Sequence, residues 1–509
     1  MGKSMSAHRH GSMTKMNRFV VIFLAALASG CLAPACGHAQ NLVTNGGFET
    51  GDLTGWTLTP AFNGSLFTIN GVSPNSGSFE AAFGATDVFH DVISQNINTV
   101  PSGRYVVSFF LKTNTGVSNV NSFTASFGNQ TLLNITNQGL TPYTQYSFVT
   151  TAPSSSALLQ FGGYNNPSFF YLDDVVVEEV TRFMAPLYVG EMGHDLMDFH
   201  TIMQDRSDGM GTSTASPSTV ATHRRPLVLA STASKTTPPV STHPYEAWME
   251  GIGDLGSIGG DSNSPSVTKA SGGLAAGLEI RPGTAARAGV AFEFLRTDIS
   301  VAESAGTGTM NTYAVGLYGA HKISGLVVDA ETSAAYDTTD DQSNGVQTTS
   351  DGYGFGASAG VRYPLKLGST TVEPRLGLDY AYSFQNGATF SNSIIQSVTA
   401  DTGQSFLRST AGARFSRDFI FGGGRLVPEV RAAWAHQMLN PVATVQETIP
   451  SVSPASFSVI APNPGRDAIL FGFGAHYVLN SFDLFLRYDG SFSTSASDNA
   501  IIGGLRFYW

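Results

Sequence analysis

The sequence predicts an almost wholly β protein: an N-terminal β-sandwich, one linker helix and a C-terminal 12-stranded transmembrane β-barrel. Three observations carry this all-β reading. Charged residues make up 13% of the 509-residue chain, while 42% are apolar and 56 are glycine. An ordinary soluble domain is roughly a quarter charged, so part of this surface faces something other than water. Only one stretch beyond the N-terminus has helical periodicity. The last half alternates strictly between an apolar face and a polar or small face, along strands long enough to cross a bilayer. The formal net charge, 27 − 38 = −11, comes with no Lys/Arg cluster, which excludes nucleic acid as the leading partner. Beyond the N-terminus, no run approaches the ~18–20 uninterrupted apolar residues of a spanning helix.

Residues 1–39 read as a signal peptide. Lys15 and Arg18 precede the apolar run from Phe19 to Ala28, a signal core too short to span a membrane. Gly37-His38-Ala39 supplies small residues for cleavage, which makes the Sec export pathway a partner; Met13 and Met16 are alternative starts. The only cysteines, Cys31 and Cys36, precede the cut. The mature chain is therefore expected to hold neither a disulfide nor a thiolate metal site. Ala28-Ser29-Gly30-Cys31 is a competing lipoprotein box with Ala where Leu is usual.

Residues 40–180 are rich in Asn, Thr, Ser, Gly and Phe, with alternating runs such as Arg104 to Leu111. Turn clusters at Pro74-Asn75-Ser76-Gly77 and Tyr164-Asn165-Asn166-Pro167 separate such runs, as in an antiparallel sandwich. Within 181–206, Met192, Leu196, Phe199 and Met203 recur at helical spacing from Pro186 to Arg206, and Gly209 follows the end. Residues 207–244 are rich in Ser, Thr and Pro and form a linker.

From 245 to 509 the alternation repeats. Val372, Pro374, Leu376, Leu378, Tyr380, Tyr382 and Phe384 line one face, and Glu373, Arg375, Gly377, Asp379, Ala381 and Ser383 the other. The twelve strands are expected near 245–255, 267–281, 285–299, 307–322, 325–338, 349–366, 370–384, 403–417, 424–437, 466–479, 482–493 and 498–509. Tight links such as Pro282-Gly283-Thr284 and Asn480-Ser481 alternate with long ones such as Met438 to Gly465. Trp248, Tyr380, Tyr382, Phe384, Trp434 and Trp509 are read as interfacial girdles against outer-membrane lipid. Closure removes the edge that the apolar C-terminal strand would otherwise expose.

The helix, the linker, Ala247-Trp248-Met249-Glu250-Gly251-Ile252-Gly253 and the ending Leu505-Arg506-Phe507-Tyr508-Trp509 together resemble the translocator of classical type V autotransporters. Leu407 to Phe415 is a further similar stretch, and the match covers Pro186 to Trp509. The resemblance implies a lumen-threading helix, a secreted passenger, and recognition by barrel-assembly machinery through Gly504, Phe507 and Trp509, with Ile502 departing from a usually polar position. Asn41 to Glu49 with Gly55-Trp56, Tyr143 to Phe148, and Phe169 to Val175 are similar to galactose-binding-type jelly rolls akin to carbohydrate-binding modules.

That second resemblance implies a structural Ca²⁺ in some members. Glu49 and Asp173, near the two ends of the sandwich, are the candidate hard-oxygen ligands; a pair of turn-capping carboxylates is the other reading. Trp56, Tyr164 and Phe170 are candidate stacking surfaces for a surface glycan, with Trp56 also fitting a core position. No other cofactor is expected, and no enzyme activity. Gly356-Ala357-Ser358-Ala359-Gly360 and Gly260-Asp261-Ser262 imitate hydrolase motifs outside the context those need. Gly352, Gly354 and Gly356 more simply make room in a lumen, and His194 and His200 lack metal spacing. Arg375, Asp379, Glu429, Arg431, Asp483, Arg487 and Asp489 are expected to face inward and meet the helix. The function that follows is an outer-membrane autotransporter displaying its own sandwich. The alternatives are a glycan-binding adhesin anchored by the barrel, and an outer-membrane pore or lipoprotein with a periplasmic domain.

Overall fold

The computed structural model describes residues 41–509 except 85–87, 115–119, 182, 207–243, 303–305, 344–345, 392–395, 453–454 and 480. The signal at 1–39 and the body of the linker therefore lie outside the described residues. The N-terminal part is a sandwich of two five-stranded antiparallel sheets. One runs in the order Thr57–Thr59, Asp91–Asn98, Ser156–Asn166, Val120–Phe127, Gln130–Thr136. The other runs Thr68–Asn70, Glu80–Phe83, Phe170–Glu179, Arg104–Thr113, Thr141–Thr151. Period-two alternation turns Ile93, Gln95 and Ile97 inward from one strand. Phe48, Phe83, Phe109, Phe123, Phe161 and Phe170 fill the space between the sheets. Two of the pairs pack edge to face, Phe83 against Phe123 at 5.5 Å and 88° and Phe109 against Phe161 at 5.0 Å and 79°, an arrangement that favours each pair by about 0.5–1.5 kcal/mol beyond its buried area.

The C-terminal part is a closed barrel of twelve long antiparallel strands. These are Tyr245–Ile258, Val267–Ile280, Ala286–Val301, Gly306–Ile323, Leu326–Ser343, Val346–Arg362, Thr370–Gln385, Thr402–Arg417, Gly424–Gln437, Asp467–Leu479, Phe482–Phe492 and Ala496–Tyr508. Each pairs with the next, and the first pairs with the last from Glu246↔Tyr508 to Ile258↔Ala496. All twelve expected strands are present with ends close to those expected. The largest differences are at Leu326–Ser343, which runs beyond 338, and Val346–Arg362, which is displaced toward the N-terminus.

Lateral hydrogen bonding also explains the two rims. One carries both barrel ends, with Tyr245 and Trp509 exchanging backbone hydrogen bonds at 3.2 and 3.1 Å, together with tight links. One of these is Ser324-Gly325, where φ values of 50° and 96° give the turn that matches strand twist. The opposite rim carries the longer connections. Two of them fold into an additional sheet, ordered Thr389–Ser391, Gln396–Thr399, Thr444–Thr448, Ser456–Ile460. The stretch Met438 to Gly465, expected as an open loop, thus supplies half of this outer sheet.

The faces follow the predicted parity with one correction. Leu376, Leu378, Phe471, Leu484, Leu486 and Trp434 are exposed on the outside, while Glu373, Asp379, Ser383 and Asp483 are buried within. Trp248 does not belong to a girdle. It shares the inward parity of Glu246 and Glu250, is 3% exposed, and donates from Nε1 to Tyr318 Oη at 3.0 Å. At the closing strand Phe507 and Trp509 stack at 5.8 Å on the exposed face. Gly504 lies on the inner face, where a Cβ would meet Phe485 at 2.8 Å and Glu250 at 2.7 Å. Ile502 is also buried, opposite Ile252. Deleting Phe507 to Trp509 strips the end of the seam and exposes backbone groups that hydrocarbon cannot satisfy. Heat-modifiable barrel should disappear from outer membranes of that variant, as judged by gel mobility.

Candidate functional site: the helix-filled lumen

The helix Met184–Arg206 begins two residues before the expected Pro186, which sits in the first turn where its missing N–H costs nothing. It runs inside the barrel. A helix ~10 Å across with its side chains needs a wall of small residues beside it, and glycine supplies them. A Cβ on Gly354 would fall 2.7 Å from Leu196 and 3.3 Å from Met192, and one on Gly316 would fall 2.5 Å from Met203 and 3.0 Å from Phe199. Gly356 faces His200 and Gly308 faces Tyr188, while Gly193 of the helix receives Phe406. Gly352 differs, giving its space to Gln385 of the wall.

Polar contacts accompany the packing. Near the loop rim, Ser383 Oγ donates to Val189 O at 2.7 Å, and Tyr188 Oη donates to Asp340 O at 3.2 Å. Lower down, Thr312 Oγ1 donates to Asp195 at 2.8 Å, His200 Nε2 meets Ser333 Oγ at 2.8 Å, and Gln204 donates to Ser358 Oγ at 2.5 Å. At the rim of the barrel ends, Asp205 is paired with Arg487 at 2.7 Å and Arg431 at 2.9 Å, with Arg375 at 4.0 Å. Arg206 is paired with Glu250 at 2.5 Å and lies over the rings of Trp248 and Phe485 at 4.5 and 5.5 Å. Its carbonyl accepts from Arg287.

Of the seven inward charges expected to meet the helix, Arg375, Asp379, Arg431 and Arg487 do, Asp379 through Gln204 at 3.4 Å. The other three support the wall. Glu429 holds Arg414 at 2.5 Å, Asp483 lies 3.7 Å from Arg506, and Asp489 pairs with both Arg431 and Arg487. Sequence reasoning missed Glu250, Ser333 and Thr312. Their inward parity was readable, but nothing in a Ser or Thr on a strand announces a partner on a distant helix. Ser358, the serine of the elbow-like motif, lies within a straight strand and donates to Asp379 at 2.8 Å. Ser262 lies on the loop rim, where its carbonyl accepts from Ser102. Among the described residues no metal-competent group of His, Cys, Asp and Glu exists.

Residues 247–489 match the family model of the autotransporter beta-domain. The barrel is an autotransporter β-domain. It accordingly sits in the outer membrane, among lipid. No curated protein matches the chain. Among solved structures, the translocator domain of the autotransporter NalP from Neisseria meningitidis aligns at 11% identity and TM-score 0.44, covering 64% of this chain and 99% of that one. The β-domain of the Bordetella autotransporter BrkA aligns at 17% and 0.39, covering 52% and 100%. The CBM22-1 xylan-binding domain of Paenibacillus barcinonensis Xyn10C aligns at 15% and 0.22, covering 29% and 98%.

Ahead of the β-domain, the passenger redistributes its candidate residues. Trp56 is core: it is 6% exposed, stacks on Phe48 at 5.7 Å and donates from Nε1 to Asn45 O at 3.1 Å. Phe170 is fully buried as well. Neither ring can present a face to a sugar. Tyr164 is half-buried beside His90, ring centroids 5.3 Å apart. Glu49 and Asp173 are brought to one turn, because the N-terminal segment runs along the last strand through Leu42 N to Val177 O and Val175 N to Gly46 O, both 2.9 Å. Asp173 accepts from the amides of Asn75 and Ser76 at 2.7 and 3.2 Å, and Glu49 from those of Ser78 and Phe79 at 2.9 and 3.1 Å. Turn capping therefore accounts for both carboxylates, while each retains acceptor capacity.

Replacing Gly354 by Leu would drive a side chain into Met192 and Leu196, an overpacking that typically costs about 1–3 kcal/mol. The helix is the movable partner, so single-channel conductance of the Gly354→Leu protein in planar bilayers should exceed that of the parent.

Proposed function

We propose that the β-domain carries its own sandwich outward and displays it at the cell surface, seated on the loop rim. The observation that carries this reading is the seat itself. Val106 and Val180 of the sandwich pack with Ile449 of the outer loops, flanked by Val149, Val452 and Phe457. Arg104 lies 5.3 Å over the Phe457 ring, and Ser102 Oγ donates to Ser262 O at 2.8 Å. From that seat the helix descends to the rim holding both barrel ends. Its 23 residues span ~35 Å at ~1.5 Å each, more than the ~25 Å apolar band of an outer-membrane barrel. A pore with a periplasmic domain would carry its sandwich on the opposite rim. No phosphate-binding loop with Lys occurs in the sequence, so folding outside and barrel assembly supply the drive. Sec export and barrel-assembly machinery are the partners this route requires.

A glycan-binding role for the passenger is a second reading. It is favoured by Tyr164 and His90 beside outward Ser94, Asn96, Thr124 and Gln160, a neutral hydrogen-bonding face. Glu49 and Asp173 are in addition a proposed Ca²⁺ pair, as hard oxygens close together.

Burial is the largest influence on Asp173 and pushes its carboxyl up to about 6, with Asp174 adding to the rise and the amides of Ser76 and Asn75 opposing it. Without an ion, the stability this residue contributes is present below its usual value near 4 and is lost as pH rises to about 6. Calcium binding runs the other way, needing the ionised form. In chelator the melting temperature of residues 41–180 should therefore fall between pH 4 and 6.5. Added Ca²⁺ should restore it most at the upper end, and an identical curve with and without chelator would remove the ion.

The orientation has its own test. An epitope tag beside Asn41 should be reached by antibody on intact cells, and one near Ser231 only after permeabilisation. Detection of the Asn41 tag only in permeabilised cells would overturn display.

A further inference from the structure

The last two residues of the helix meet the wall differently from the rest. Apart from Glu191, which pairs with Lys269 at 3.1 Å, and Asp198, which lies 3.9 Å from Arg408, the contacts along most of its length are methionine, glycine and single hydroxyl groups, and methionine adapts to many shapes. Such packing holds a helix without fixing how far it has slid. Asp205 and Arg206 are adjacent, opposite in charge and buried, and each meets its complement. Arg487, Arg431 and Arg375 surround the first. Glu250 and the ring faces of Trp248 and Phe485 enclose the second.

We propose that Asp205 and Arg206 are the stop signal of export: the moving chain halts where this pair reaches its complementary wall sites. The idea rests on the export reading above and names the residues that end that process. Its physical basis is an asymmetry. A buried ion pair adds little net stability when formed, but leaving one member buried without its partner is strongly unfavourable. A site built this way therefore discriminates registers better than it binds. Sliding the chain by four residues brings Thr201 and Ile202, or Gly209 and Met210, to the two wall sites, and none carries charge; a slide of three that brings Asp208 to the first site leaves Gly209, uncharged, at the second. Sliding by one residue puts Arg206 or Gln204 among the three arginines.

The sequence makes the signal unique. Asp205-Arg206 is the only Asp-Arg step in the chain, and from residue 41 to 206 the only Lys and Arg residues are Arg104, Lys112, Arg182 and Arg206. No earlier part of the exported segment can imitate the pair. The wall also has internal partners with which it can wait. Arg487 pairs with Asp489 at 2.9 Å, and Arg431 lies 3.2 Å from Asp489 and 3.6 Å from Glu429. These sites do not need the helix in order to persist as the chain passes.

Register can be read in the full-length protein through a cysteine pair, since the only native cysteines, Cys31 and Cys36, precede residue 40. Met203→Cys with Gly316→Cys places two thiols at an existing contact. Brief oxidation in outer membranes should give a disulfide that retards mobility only in the native register. Arg206→Glu or Glu250→Arg in this background should lower its yield by about fivefold or more, because either leaves like charges buried together. The reversed pair, Arg206→Glu with Glu250→Arg, should return it toward the parental level. Asp205→Asn, which keeps shape and removes charge, should lower it as well. Heat-modifiable mobility reports barrel folding in every sample. Unchanged yield in the single variants with folded barrel would overturn the stop signal, and so would failure of the reversed pair to recover. The crosslink does not depend on which rim faces the medium. Failure of the display reading would appear instead in the Asn41 tag.

Discussion

Hydrocarbon offers no hydrogen-bond partner to a peptide group, and this constraint governs everything else in the molecule. A sheet in lipid must close, and the pairing of Tyr245–Ile258 with Ala496–Tyr508 is where closure happens. An even number of antiparallel strands then returns the chain to the rim from which it started. Tyr245 and the C-terminus share that rim, and the helix can reach it only by passing through the lumen from the other side. The sandwich, connected to the helix by residues 180–183, has no choice but the loop rim.

Closure sets a second problem, that of filling the interior. A twelve-stranded ring around one helix leaves too little room for large side chains on every inward position and too much for small ones throughout. The sequence resolves this by position. Glycines line the wall where the helix presses, at Gly308, Gly316, Gly354 and Gly356, while long charged side chains such as Arg431 and Arg487 gather at the last turn of the helix, around Asp205. These inward charges are thereby kept from lipid, where an Arg or Lys at mid-depth costs ~2–4 kcal/mol.

Much of this was legible because period-two alternation is a direct image of a two-faced strand. The run from Val372 to Phe384 could be assigned residue by residue, and the observed faces agree. The helix was legible through Met192, Leu196, Phe199 and Met203, all of which are buried. Aromatic residues misled where identity was weighed above parity. Trp248 stands between Glu246 and Glu250 at the same parity, so whatever face those acids take, the indole takes too. Trp56, by contrast, took the core position it also fitted, stacked on Phe48. The outer sheet at Thr389–Ser391, Gln396–Thr399, Thr444–Thr448 and Ser456–Ile460 was not legible, since strands of three to five residues are too short to show a period. Contacts across the lumen were hidden for another reason. Many join residues more than a hundred positions apart, such as His200 and Ser333, and a local pattern carries no trace of them.

The seat of the sandwich and the pairing of Asp205 and Arg206 with the wall act at opposite ends of one helix, and their roles differ in kind. The seat is apolar, formed by Val106, Val180 and Ile449, and an apolar contact gains with area but tolerates displacement. The charged end gains little and tolerates none. The export route proposed above calls for both properties. Something must favour the outside, and the aromatic core of a sandwich too wide to pass back through a helix-filled lumen does so once it has folded. Something must also define completion, and that falls to the end at which a wrong register leaves charge uncompensated. Neither device could replace the other: a purely apolar helix end would slide, and a purely charged seat on the rim would be screened by salt within a Debye length of ~8 Å.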